Sequence, residues 1–273
     1  MATPKSRTSQ EYFTNLSRNY ARQTGNSTRT LLEQALHTLH LSIDRSSYLH
    51  DNACGTGTAT SVVNEVYGFV PRVELTDSVQ AMVDSASALI KNMEWSSANA
   101  TLMDSHKLGF ADNTFTHSIT NFSIFNFDNA LVCLKEVYRT LKPCGKAVIP
   151  TWSHFGVAEL IHIAQAAIRP DLPLMKVAHP EFMKEGYLQN LVAETGFARD
   201  RIVTTTQVMV AKDEALEGLL DFMLGGMSAP ARVGFTDKDL EAWKPEILKA
   251  VENEVSEHGG IRMEAWIVVA EKE

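Results

Sequence analysis

The run Asp51-Asn52-Ala53-Cys54-Gly55-Thr56-Gly57-Thr58 sets an acidic residue and several small ones where an apolar strand should pass into a helix. Small residues at such a turn let the backbone come close to a ligand. A dinucleotide site would go on to a third glycine, but Thr60 occupies that place. The acid on the N-terminal side favours a ligand bearing an ammonium group over a bare pyrophosphate. Two further acids follow candidate strands. Asp77, in Leu75-Thr76-Asp77-Ser78, can accept both hydroxyls of a ribose, and Asp104, in Met103-Asp104-Ser105-His106, can accept from an exocyclic amine. Each acid alone could equally cap the next helix; their order behind successive strands gives the joint reading its weight.

These residues need a scaffold that gathers strand ends. Candidate strands at 47–52, 72–77, 99–103, 116–121 and 146–152 alternate with helical stretches at 57–67, 79–91 and 128–141. Such alternation implies a parallel sheet covered on both faces, with the carboxyl ends of its strands at one edge. Upstream, Leu31, Leu32, Ala35, Leu36 and Leu39 form one stripe of a helix over 27–41, capped near Asn26 or Ser27, behind a helical segment at 9–22. After Trp152 the alternation stops. Residues 155–168 and 180–195 read as helices around a Pro-rich stretch, followed by a strand at 201–210, helices at 212–223 and 236–255, and a β-rich end from Ile261 to Ala270.

The 273 residues are 44% hydrophobic and 21% charged, a globular composition. A net charge of −8 without a dense basic run disfavours nucleic acid and anionic membranes as partners. Three cysteines without Cys-x-x-Cys spacing and the lack of a signal-like or membrane-spanning apolar run point to a reduced, cytoplasmic setting. The histidines and cysteines show no paired metal-site spacing, so no metal is expected.

Asp51-x-Ala-x-Gly55-x-Gly57 resembles the glycine motif of class I S-adenosylmethionine-dependent methyltransferases, with Ala53 in place of its first glycine. The family's other motifs follow in order: Asp77-Ser78 with Met82, Asp104-Ser105-His106-Lys107-Leu108, Phe110 to Phe115, and Glu136-x-x-Arg139-x-Leu-Lys-Pro143-Cys-Gly145. The pattern departs at Thr116, Cys144 and Lys146. The Asp-Asn-Ala-Cys-Gly-Thr-Gly wording is similar to fungal natural-product methyltransferases, among them the enzyme that S-methylates the dithiol form of gliotoxin. The matches run from about Tyr20 to Trp152.

The resemblance implies an α/β, Rossmann-like fold with a seven-strand, mostly parallel sheet and helices on both faces. One domain would comprise an N-terminal helical lid (1–45), a cofactor-binding core (46–152), a helical cap after strand five (153–198) and a closing part of the sheet (199–273). It implies S-adenosyl-L-methionine as cofactor and S-adenosyl-L-homocysteine as product. Asp51, Asn52, Ala53, Gly55 and Gly57 would surround the methionine part, Asp77 and Ser78 the ribose, and Met82, Asp104 and Ser105 the adenine. Asn121 and Phe122 would flank the methyl, and Tyr20 would reach the cofactor carboxylate from the lid.

The composition fits a small, largely apolar molecule, and the resemblance implies that a thiol, amine or hydroxyl on it, as in a fungal secondary metabolite, accepts the methyl. Trp152, Phe155, Met223 and Met227 are candidates for its pocket, and His154, just after the fifth strand, for a general base. Cys54 reads as a small packing residue whose place at a helix start could instead lower its pKa. Two other readings share the fold: a cofactor-binding protein that does not methylate, and a nicotinamide oxidoreductase, which Thr60 and Asp104 disfavour.

Overall fold

The computed structural model describes residues 20–273, with the side chains of Tyr20, Ala21 and Met227 outside the described atoms. The helix expected at 9–22 thus lies outside the described residues except for α1 (Tyr20–Gln23). Seven strands form one sheet: β1 (Tyr48–Asn52), β2 (Arg72–Asp77), β3 (Ala98–Leu102), β4 (Phe115–Ile119), β5 (Leu141–Phe155), β6 (Ile202–Ala211) and β7 (Ile261–Glu271). Their order is β3-β2-β1-β4-β5-β7-β6. The first five run parallel, and β7 runs antiparallel to both β5 and β6. The chain order reverses between β1 and β4, and the crevice outside their carboxyl ends is where such sheets bind ligands.

Alternation along the strands feeds two cores. Val148 and Ile267 face one side, with Leu31 and Leu32 of α2 (Ser27–Thr38), Val62 of α3 (Thr58–Tyr67) and Ala86 of α4 (Gln80–Asn92). Ile149 and Val268 face the other, with Leu134 and Val137 of α5 (Ala130–Thr140). The helix expected at 155–168 as part of a cap is α6 (Gly156–Ile168), and it seats Val157, Leu160 and Ile161 in the first core, beside Trp243 and Ile247 of the long α9 (Asp237–His258). The stretch expected as helix over 180–195 is instead a 3-10 turn (Pro180–Met183) and a short α7 (Tyr187–Ala193), divided by Gly186 at φ 76°. It packs Phe182, Leu188 and Val192 onto the second core.

The N-terminal segment is tied to α8 (Asp213–Leu224) by close backbone approach. A Cβ at Gly218 would stand 1.8 Å from the Arg22 carbonyl oxygen, so only glycine allows the contact. Arg22 also pairs with Asp221 at 2.8 Å. Among the described residues no helix is long and apolar enough to cross a membrane.

Candidate active site

The turn from β1 into α3 is built on a buried charge. Asp51 is fully buried, and its Oδ2 accepts hydrogen bonds from the Thr60 amide at 3.0 Å and the Thr60 hydroxyl at 2.7 Å, which pins the first turn of α3 to the end of β1. Its other oxygen has no partner in the protein. Burial pushes the carboxyl up to about 7, against the pull of the Thr60 bonds. Between the two anchors Ala53, Gly55 and Gly57 all take positive φ, at 51°, 54° and 88°. Ala53 holds this left-handed conformation without glycine's freedom.

Asp77, at the end of β2, braces the same turn. One oxygen accepts from the Gly55 amide at 2.9 Å and the other from the Val79 amide at 2.9 Å, and burial raises its pKa. Asn52 is fully buried, donates to Thr120 and accepts from the Ser105 hydroxyl at 2.8 Å. It thereby joins β1 to the loops after β4 and β3. The loop after β3 is held a second time. Glu136 of α5 accepts from the Leu108 amide, and Arg139 donates to the carbonyls of Leu108 and Phe110 and to Asp112.

Two hollows open along this strand edge. A crevice of about 160 Å³ is lined by Ala53, Cys54, Gly55, Asp77, Ser78, Met82, Asn121, Phe122 and Phe127. Beside it lies a cavity of about 410 Å³ walled by Phe122, Phe125, Trp152, Phe155, Phe182 and Phe222 and roofed by Gln23, Thr24, Ser27 and Thr28. Phe122 and Asn126 belong to both. Phe122 sits at φ 49°, with its ring 4.3 Å from that of Trp152, which stacks on Phe155 at 5.0 Å. A bulky residue in the left-handed region is strained, and such strain collects at functional sites. The reversal at Phe122 also explains why β4 ends at Ile119 rather than at 121 as expected.

The crevice therefore gathers Ala53, Gly55, Asp77, Ser78, Met82, Asn121 and Phe122. Asp51, Asn52, Gly57 and Ser105 stand behind its wall and shape it. Asp104 is not brought to it: its carboxylate is largely exposed and accepts from the His106 amide at 2.9 Å and the His106 ring at 2.7 Å, which lower its pKa. Tyr20 and Met227 lie outside the described side chains. Of the acceptor-pocket residues, Trp152 and Phe155 line the cavity, but Met223 does not. It is fully buried in the core while its neighbour Phe222, about 100° further round α8, faces the hollow.

His154 is likewise turned away. A bulge between Trp152 and His154 shifts the register with β7, and the His154 ring lies 3.7 Å from Glu159 at the surface. Burial and the nearby Asp51 and Asp77 push the Cys54 thiol up, so its helix-start position does not make it reactive. His50 is a buried strand residue, bonded to Thr76 at 2.9 Å and stacked on Phe115. Residues not singled out in the sequence also line the cavity, notably Lys176 and His179, which sit in the Pro-flanked connection between α6 and α7.

Comparison with known proteins bears on what occupies these hollows. Residues 50–149 match the family described as a methyltransferase domain. A methyltransferase of Aspergillus niger, ktnA, is 23% identical over an alignment covering 81% of this chain and 83% of its own. The ubiquinone/menaquinone biosynthesis C-methyltransferase UbiE of Desulfotalea psychrophila is 35% identical, but over 36% of this chain and 38% of its own length. Among solved structures, the (4+2)-cyclase SpnF shares the fold with a TM-score of 0.60 at 13% identity, over 98% of each chain.

Two predictions follow from the turn. Ala53→Gly relieves a left-handed alanine and should raise stability by about 0.5–1 kcal/mol in denaturant titration, and a lower midpoint would contradict the strain argument. The second concerns pH. The folded state holds the Asp51 proton up to about 7 against 3.8 for a free carboxyl, so this group's contribution to stability is complete below 3.8 and is lost as pH rises toward 7. His50, lowered by burial to about 3, titrates with the opposite sign in both proteins and cancels in the difference. Asp51→Asn should therefore gain on the wild type steadily from pH 4 to pH 7; a constant gap would contradict the assignment.

Proposed function

We propose that this chain, a class I S-adenosylmethionine-dependent methyltransferase, methylates a thiol, amine or hydroxyl of a small, largely apolar metabolite of the secondary-metabolite kind. The observation that carries this reading is the shared wall: Phe122 borders both the narrow crevice of the glycine turn and the wide aromatic cavity. The cofactor supplies a sulfonium methyl that is already electrophilic. The protein's part is then to hold acceptor and donor in line and keep water away.

The residues present fit that cofactor. The positive-φ turn leaves open space over Gly55, where a side chain would meet nothing within 4 Å. Asp77 faces the crevice with a carboxylate suited to a ribose diol, and Met82 and Phe127 offer apolar walls to a purine. Asn121 adds an amide oxygen without a protein partner at the crevice wall, an acceptor suited to an ammonium group. The roof of residues 23–28, latched to α8, would exclude water above the acceptor. The Aspergillus niger methyltransferase supports methyl transfer as the reaction, and the aromatic cavity supports an apolar acceptor.

Calorimetric titration with S-adenosylmethionine and S-adenosylhomocysteine, then mass spectrometry after incubation with thiols, amines and phenols, tests this. Cofactor binding and a product one methyl heavier are expected; binding with no methylated product across the panel would contradict methyl transfer to a small acceptor. Asp77→Asn removes charge-assisted hydrogen bonds and should weaken cofactor binding about 10–100-fold. Unchanged affinity would take Asp77 out of the site.

A further inference from the structure

The aromatic cavity contains only two titratable side chains among its described lining residues, Lys176 and His179. Both lie on the connection between α6 and α7 and are partly open to solvent, the His179 side chain by 49%. His179 takes a left-handed backbone, φ 44° and ψ 60°, at the start of the 3-10 turn, and this aims its ring over that turn. Its Nδ1 lies 2.9 Å from Oε1 of Glu181, and its ring meets Phe182 edge-on at 6.4 Å. Glu181 is held below the usual carboxylate range by its bonds to this turn, so it stays an anion beside the ring. With the Glu181 carboxylate as acceptor, the proton of a neutral His179 ring sits on Nδ1, and Nε2 carries the lone pair. Thr151, wholly buried at the same cavity, keeps its hydroxyl without a partner in the protein.

A carboxylate-bound imidazole and a lysine share the lining of one cavity with six aromatic rings. The rings suit a flat, aromatic guest. The imidazole and the ammonium suit a group that must lose a proton and briefly carry negative charge.

We infer that His179 is the general base for this methyl transfer and that the acceptor is an aromatic hydroxyl. The inference rests on the reading that the cavity receives the methyl acceptor. The phenolic proton passes to Nε2 of His179, and the oxygen lone pair so released forms the new C–O bond to the methyl carbon. The S–C bond breaks with its electron pair left on sulfur, and the imidazolium then returns its proton to solvent. Glu181 is a positioning residue that steadies the imidazolium, and Lys176 is the cation in the lining of the same cavity. His154, on the far side of the β5 bulge, has no part in this.

The test uses the full chain saturated with S-adenosylhomocysteine and the chromophoric probe 6-cyano-2-naphthol, at a pH where the free probe is neutral. The wild type should bind the probe and show the long-wavelength naphtholate band. His179→Gln should bind it with the band lost, and Glu181→Gln should lower the naphtholate fraction about tenfold, both with S-adenosylhomocysteine affinity unchanged within about twofold. With S-adenosylmethionine, His179→Gln should lower kcat for the same naphthol about 100-fold or more while KM moves little. A naphtholate band that survives in His179→Gln, or a wild type that binds S-adenosylhomocysteine and either ignores the naphthol or holds it only in neutral form, would overturn the inference and leave the methyltransferase reading standing. Failure of the wild type to bind S-adenosylhomocysteine would overturn that reading first.

Discussion

Everything at this strand edge depends on burying the Asp51 carboxylate. A charge in the sheet interior is costly unless it is bonded or protonated, and Asp51 has a single residue, Thr60, to bond. Those two bonds oblige α3 to begin where it does, and the chain between must cross a short gap with three residues in the left-handed region. The turn is thereby pressed toward the end of β2, where Asp77 accepts the Gly55 amide. The crevice is the space this forced turn leaves in front of it.

From that constraint the rest of the site can be followed outward. Asn52, next along β1, carries the geometry to the loops after β3 and β4 through Ser105 and Thr120. The reversal at Phe122 then sets an aromatic ring between the crevice and the wide cavity, and the stack of Trp152 and Phe155 continues that wall along β5. A reaction that needs mainly alignment and dryness would be served by a rigid shared wall of this kind, with the wide cavity roofed by residues whose position is fixed by the Gly218 contact.

Much of this was legible in the sequence because strand ends carry short-range signals. The alternation of strands and helices placed β1 to β5 and α3 to α5 within a few residues, and the small residues at 53–57 marked the turn. The Glu136 and Arg139 motif was legible as a pattern only; its work, pinning the 108–112 loop, depends on contacts between distant segments. Less could be read where direction matters. His154 was expected just after the fifth strand, but β5 runs on to Phe155, and a bulge with no sequence signature turns His154 outward within it. Met223 and Phe222 differ only by a rotation on one helix. Asp104 keeps its place in the motif order, but His106, two residues on, draws its carboxylate to the surface. His179 was invisible because a connection without periodicity gives no hint of which wall it will form.

The most direct measurement is an experimental structure of the chain with S-adenosylhomocysteine bound. The account predicts the ribose hydroxyls on Asp77, the amino-acid end over the Ala53–Gly57 turn, and the sulfur beside Phe122, facing the aromatic cavity. A sulfur directed away from that cavity, or a ligand seated elsewhere than the glycine turn, would contradict it.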